Sequence, residues 1–512
     1  MADPKHSWRM LVNDDGWIIG TADAPLTPQL LHDRMIGPYA NSPVDVFLWS
    51  VGGHEVYDYE TEVGQRFGQG DQNLDPTQQR RRDNLTALIQ QHGGPVTAIA
   101  QLCQQAGLAF FPSVRMNEHY DMDEAAPNYG RLRRDHPDWL IGRPGEEMPP
   151  GGLEWGIRTG LNYACAPVRD HMAAIIFELI ERFDIAGIEL DFMRHPAFFR
   201  VEEAAAQAYL MNDLVARVRA KLDQVGTARG THLDLAVRVP PTLADARRIG
   251  LDVATWVQNG WIDLLIAGGG FIPFEMPIAE FVELARDSQC RVYGCFEGLR
   301  SLLTQNQLRA LAARYWAHGV DGLYFFNYYS MSAAWKQQVL GQLADAAGLA
   351  QTDLCYVVDR TERERPTSQL GFSFRNAIPR AQLPVLLDKT HTGQAARLQL
   401  DIAAVDPGAQ CTLGLGFAQL ADDTQLRVVL NGRPLAWAQR QKPQQPWTRT
   451  EYEPDWNIYP STTRPVPLEE DPIEFPVPVD WLRTGVNELE VGLVSGAALV
   501  LQEVRLHLAA TG

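Results

Sequence analysis

Over the first 350 or so residues, short apolar runs alternate with longer segments whose apolar residues recur at helical spacing. The strand-like runs are Arg9–Asn13, Val44–Val51, Leu108–Met116, one opening at Gly187, Leu233–Val239, Ile262–Ala267, Arg291–Phe296 and Gly322–Tyr328. Helical patterns follow them, most clearly at Asp83–Ala106, Val168–Phe183 and Glu202–Val225. A strand regularly followed by a helix returns parallel to its predecessor. Eight such units predict an α/β fold, a closed (β/α)8 barrel of the TIM type. A doubly wound open sheet is the alternative, but no glycine-rich phosphate fingerprint follows the first strand.

Beyond residue 350 the texture changes. Arg360–Pro366 is charged and reads as a linker. Period-two runs follow at Ala396–Ala403, Cys411–Phe417, Leu426–Leu430, Glu488–Val494 and Leu499–Leu508, with Asn431-Gly432 as a hairpin signal. The expected organisation is a barrel over 1–350, a linker over 351–385 and an antiparallel β-sandwich over 386–512.

The net charge is -18, with a pI near 5.1. Phosphate backbones and anionic membranes attract the opposite sign, so neither nucleic acid nor membrane is expected as a partner. No apolar run approaches the roughly 18 residues of a bilayer span. The opening MADPKHSWRM lacks a signal-peptide core, so a cytoplasmic location is expected. The six cysteines are scattered without a CxxC pair, and no HExxH spacing occurs. They read as buried thiols, and no metal or other cofactor is expected.

The richest chemistry lies in Gly187–Phe199, GIELDFMRHPAFF. Ile188, Leu190 and Phe192 alternate with Glu189 and Asp191, so one strand face carries two acids. That is costly unless the face meets a polar cavity. Arg194 and His195 follow at the strand end, with Asp191 nearest the rim and Glu189 one step deeper.

In barrels of this kind the C-terminal rim holds the chemistry. Going round it gives Asn13, Asp14 and Asp15, then Trp49 and His54, then Arg115, Asn117 and His119. It continues with Arg238, Glu297, Asn327 and Tyr328. Phe47 and Trp49 are expected on the inner face of the second strand, opposite Val44, Val46 and Leu48. Glycosidic cleavage uses two carboxyl groups, one protonated and one acting as nucleophile or base. Aromatic faces hold the apolar faces of sugar rings. Asp191, Glu297 and Glu189 are the candidate catalytic carboxylates, and the other rim residues are candidate substrate contacts. Glu118 and Glu275 are further acids within loop reach. The bland readings are an Asx turn at Asp14-Asp15-Gly16, Trp49 as core, and Arg115 and Arg238 neutralising Glu189.

The chain resembles glycoside-hydrolase-like barrels, specifically the family-ten glycosyl-hydrolase-like group. The resemblance rests on His136-Pro137-Asp138-Trp139, Leu161-Asn162-Tyr163, Val168-Arg169-Asp170 and Phe183 through Pro196. Asp191, Arg194 and Pro196 match that group's fourth-strand pattern, whereas Ala186 replaces its first Asp. Amylase-like barrels carry an Asp nucleophile at this strand end, which implies that role for Asp191. Retaining barrels with acids on strands four and seven correspond to Glu189 and Glu297 by strand only. The chitinase pattern fails, because Met193 stands at its proton donor. Val477–Val491 resembles the β-sandwich domains attached to such enzymes.

The leading expectation is therefore a glycoside hydrolase with a carbohydrate substrate. One alternative is a lyase or isomerase for an acidic sugar. There Arg115, Arg194 and Arg238 clamp a carboxylate and His195 or His119 moves a proton. The other is a non-catalytic carbohydrate-binding protein. A homo-oligomer is compatible with all three.

Overall fold

The computed structural model describes residues 7–70, 73–119, 123–150, 152–268, 276–297, 303–328, 333–359, 382–388, 395–403, 405–452, 463–468 and 470–510. Eight parallel strands close into a barrel in chain order. They are β1 (Met10–Asp14), β2 (Val46–Ser50), β3 (Ala109–Arg115), β4 (Gly187–Asp191), β5 (Asp234–Val239), β6 (Leu264–Ala267), β7 (Arg291–Glu297) and β8 (Gly322–Phe326). All lie close to the expected runs.

The strands are buried on both faces, which is why they read as nearly continuous apolar runs. The barrel interior is packed by Leu11, Val46, Leu48, Phe111, Ala236, Leu264, Ile266, Tyr293, Cys295, Tyr324 and Phe326. The opposite parity, including Val12, Phe47, Trp49, Phe110, Ile188 and Leu190, packs outward against the helices. This reverses the expectation for β2: Val46 and Leu48 face inward, and Phe47 and Trp49 face the helix layer. VFLWS is apolar throughout, so its composition does not reveal which face is which.

The helical pattern over Asp83–Ala106 resolves into two helices. α1 (Pro76–His92) is opened by an Asp75 capping box and ended by Gly93 in the left-handed region. α2 (Pro95–Ala106) restarts after Gly94. α3 (Ala166–Arg182) buries Val168, Met172, Ile175, Ile176 and Leu179 and delivers the chain to β4. α4 (Ala208–Arg229), α5 (Gln305–Ala317) and α6 (Ala333–Ala344) follow β4, β7 and β8.

Two larger antiparallel sheets follow the barrel, with a small two-stranded one of Thr448–Tyr452 and Thr463–Pro467 beside them in sequence. One contains β9 (Leu354–Val357), β10 (Val385–Leu387), β12 (Gln410–Phe417), β15 (Asp471–Val477) and β17 (Leu499–Ala509), and the other contains β11 (Ala396–Ile402), β13 (Gln425–Leu430), β14 (Arg433–Leu435) and β16 (Gly485–Ser495). Asn431 and Gly432 take positive φ between β13 and β14, the turn their sequence favours. Within the stretch expected as linker, β9 is a sheet strand paired with β17. Arg360–Pro366 lies outside the described residues. β9 packs on α5, and His318 Nε2 lies 2.5 Å from Asp401 Oδ2, tying the sheets to the barrel. Among the described residues, no helix is long and apolar enough to cross a membrane.

Candidate active site

Register sets the heart of the barrel mouth. Asp191 at the end of β4 lies level with Arg115 of β3 on one side and Arg238 of β5 on the other. Oδ1 of Asp191 accepts from Arg238 Nε at 3.0 Å, from Met193 N at 3.0 Å and from Arg194 N at 3.3 Å. Oδ2 accepts from Arg238 Nη2 at 3.0 Å. The Arg238 guanidinium lies 3.8 Å from the centre of the Phe326 ring, and Arg238 is wholly buried. Gly268 makes room for it, since a Cβ there would sit 2.9 Å from Arg238 Cγ.

One step deeper, Glu189 is sealed inside the barrel. Its Oε1 accepts from Tyr324 Oη at 2.7 Å, and its Oε2 accepts from Ser113 Oγ and from Asn13 Nδ2, the latter at 3.2 Å. Burial, and then the nearby Asp191 charge, push its carboxyl up to about 7 against the pull of Arg238 and the donors.

Above β1, Asp15 pairs with Arg115 Nη2 at 2.8 Å, accepts from Asn327 Nδ2 at 2.7 Å and has Arg194 Nη2 at 3.7 Å. Burial raises its pKa, but Arg115, Arg194 and Asn327 outweigh that and hold it below the ordinary value. Asn327 manages this from φ 58°, a conformation that Asn tolerates better than most residues.

A histidine group closes the β2–β4 side. The rings of His119 and His195 meet edge to face at 4.4 Å. Burial lowers His119 to about 3 and His195 well below its ordinary value, so both are neutral imidazoles. His54 sits 3.9 Å from both Glu55 and Glu118. Burial favours a protonated Glu118, yet His54, Arg115 and Arg133 bring it down to about 2. Gly53 admits this carboxylate, because a Cβ there would lie 2.3 Å from Glu118 Oε2. Glu55 pairs with the buried Arg133, which also donates to Asn128 O at 2.7 Å. That pair pins the segment after β3 onto the loop after β2.

Four expected rim residues are engaged elsewhere. Trp49 faces the helix layer beside Gly16, whose Cβ would strike its indole at 2.8 Å. Asp14 forms the Asx turn, accepting from Gly16 N at 2.8 Å. Its charge acts on Tyr39 and Lys336 in the helix layer. Lys336 is fully buried, and burial brings it down to about 7 despite Asp14. Tyr328 packs edge-on against Phe325 in the outer layer, 5.0 Å between ring centres. For Asp14 the reason is parity: consecutive strand residues take opposite faces, so Asp14 and Asp15 cannot both face the barrel axis. Tyr328 has the parity of Phe326 but lies beyond β8, after Asn327 has turned the backbone with φ 58°. The Asn117 amide is taken up by backbone, donating to Leu161 O and Ala197 O and accepting from Glu118 N and Leu161 N.

Ser113, Tyr324, Phe326 and the Glu55–Arg133 pair were not anticipated. The inward parity of Gly322, Tyr324 and Phe326 was the available signal for two of them. Glu297 ends β7 in backbone register with Phe326. Glu275 lies outside the described residues. Among the described residues, the one group with metal-type ligand spacing is His232, Asp234 and Asp263, at the opposite end of the barrel. Its carboxylates already bind Arg219, Trp8 and the Leu235 N–H.

Fold and site together define a TIM-type barrel whose C-terminal mouth carries interlocked acids, arginines and neutral histidines, followed by an antiparallel β-sandwich. No protein-family model and no curated protein sequence matches the chain. Solved structures similar to it include the alpha-L-fucosidase isoenzyme 2 from Paenibacillus thiaminolyticus, at 13% identity and TM-score 0.42, covering 68% of this chain and 51% of that one. The chain thus spans about half the length of that fucosidase. The PgaB (BpsB) glycoside hydrolase domain from Bordetella bronchiseptica is similar at 10% identity and TM-score 0.41, covering 67% and 99%. An alpha-amylase from Lactobacillus plantarum is similar at 10% identity and TM-score 0.39, covering 92% and 98%.

Proposed function

We propose that this chain is a glycoside hydrolase, with Asp191 as the carboxylate that attacks the anomeric carbon or activates water and Glu297 as its acid partner. The observation that carries the reading is the setting of Asp191. Its Oδ1 is held by three donors while its Oδ2 receives one among the described residues, so the group is fixed in orientation with a lone pair left for chemistry. The match of Asp191, Arg194 and Pro196 to the family-ten-like fourth-strand pattern supports the same reading. Asp15, Arg115, Arg194 and Asn327 then form a rigid rim against which sugar hydroxyls bind. The 386–512 region acts as a buttress, consistent with its docking on α5.

The test is turnover on a panel of aryl-glycosides and oligosaccharides with Asp191→Asn and Glu297→Gln. Each should lose several orders of magnitude in kcat while remaining folded. Near-wild-type rates in both remove the reading. A carboxyl separation of about 5 Å implies retention, and one of about 6.5–9.5 Å implies inversion.

The neutral His119–His195 pair beside Arg115 and Arg194 favours a second reading, elimination on an acidic sugar with a histidine as base. An unsaturated product detected by ultraviolet absorbance, in place of new reducing ends, decides for it.

A further inference from the structure

The sequence offers Glu189 as a third catalytic carboxylate, but its surroundings suit another task. It is sealed beneath the mouth, with no exposed atom to meet a substrate. Three neutral donors cradle it: Tyr324 Oη, Ser113 Oγ and Asn13 Nδ2. Glu189 and Asp191 share one strand face, and the single positive charge of Arg238 acts on both. Among the described residues, the other titratable groups near this tier are Cys295 of β7 and Tyr324 of β8. β2 and β6 contribute Leu48 and Ile266, which are apolar.

We propose that Glu189 is a positioning residue: its protonation decides whether Arg238 serves Asp191 alone or is divided between two carboxylates. With Glu189 neutral, the guanidinium binds Asp191 through Nε and Nη2, the arrangement present here. Loss of the Glu189 proton places a second negative charge against the same cation in a low-dielectric interior. The grip on Asp191 then weakens: Oδ2 loses its one donor among the described residues, while Oδ1 keeps the Met193 and Arg194 N–H groups. The switch falls near neutral pH, because burial and Asp191 bring Glu189 to about 7. The consequence for catalysis rests on Asp191 being the reacting carboxylate. The proton itself does not.

Infrared difference spectroscopy on the full chain tests this without a substrate. A buried protonated carboxyl has a carbonyl-stretch band distinct from ionised acids. Wild type should lose such a band between about pH 6 and pH 8, and Glu189→Gln should lack it, which separates it from Glu60, another acid that burial raises. Two further variants keep Glu189 in place. Asp191→Asn removes a charge that favours the proton, so the midpoint should fall. Tyr324→Phe removes a donor that favours ionisation, so it should rise. A band unchanged in Glu189→Gln, or a midpoint that neither variant moves in its stated direction, overturns the proposal. If the band behaves as expected while no glycoside is turned over, the hydrolase reading fails and the Glu189–Arg238–Asp191 linkage stands.

Discussion

Replacing Arg238 with Met probes the centre of the mouth directly. The stem volume is kept, while two hydrogen bonds to Asp191 and the contact with the Phe326 face are lost. Among the described residues, Asp191 is then left buried with the Met193 and Arg194 N–H groups as its donors. Removing one member of a buried ion pair costs about 3–5 kcal/mol, because the remaining charge is uncompensated. Asp191→Asn leaves Arg238 facing Glu189, whose proton then comes off more readily, so it should cost less than Arg238→Met. The double variant buries neither charge, so its loss should fall short of the sum of the singles by about 2 kcal/mol or more. Urea unfolding followed by tryptophan fluorescence gives all three values. A domain stable by about 10 kcal/mol, within the usual range, survives either single change at 25 °C but with a lower midpoint. Activity lost in Asp191→Asn must therefore be scaled to the folded fraction. An Arg238→Met protein within about 1 kcal/mol of wild type, or strict additivity in the cycle, would refute the argument that this pair is electrostatically locked.

Arg133→Met or Glu55→Gln should likewise cost about 3–5 kcal/mol, and limited proteolysis should first cut within 123–150, the segment this pair anchors. Gly94→Ala should destabilise by more than about 1 kcal/mol in thermal melts, because φ is 103° and a Cβ would collide with the Glu60 carboxylate. His119 has a folded pKa depressed from 6.5 to about 3, so its stabilisation is complete above pH 6.5 and is lost as pH falls, by about 1.4 kcal/mol per pH unit. His119→Phe should flatten that part of the stability–pH curve. Glu189 acts in the opposite sense: its folded pKa is raised from 4.5 to about 7, so stability falls as pH rises through that window, by about 3 kcal/mol in all. The two trends overlap near pH 5–6, so each is read from the difference between a variant and wild type in matched denaturation series.

The eight strands, the break at Gly93-Gly94-Pro95 and the Asn431-Gly432 hairpin are legible because each depends on local spacing or a local backbone preference. The acid face of β4 is legible for the same reason, since Glu189 and Asp191 alternate with bulky apolar residues. β2 was misread because both of its faces are apolar and alternation carries no sign. Asp14 and Asp15 could not be told apart, since an Asx turn and a rim acid use the same residue type. The tasks of Asn117 and Arg133 were invisible, because Leu161 and Ala197, which take the Asn117 amide, and Glu55, which pairs with Arg133, lie more than 40 residues away in sequence.

Sequence alone therefore determined the barrel, its order of strands and the placing of two carboxylates on one face of the fourth. Only tertiary structure decided what those carboxylates are. Closure of the sheet sets Arg238 level with Asp191 and seals Glu189 among Tyr324, Ser113 and Asn13. Charge state in a protein interior depends on burial and on neighbours brought together across strands, and neither is encoded in the spacing of a single segment.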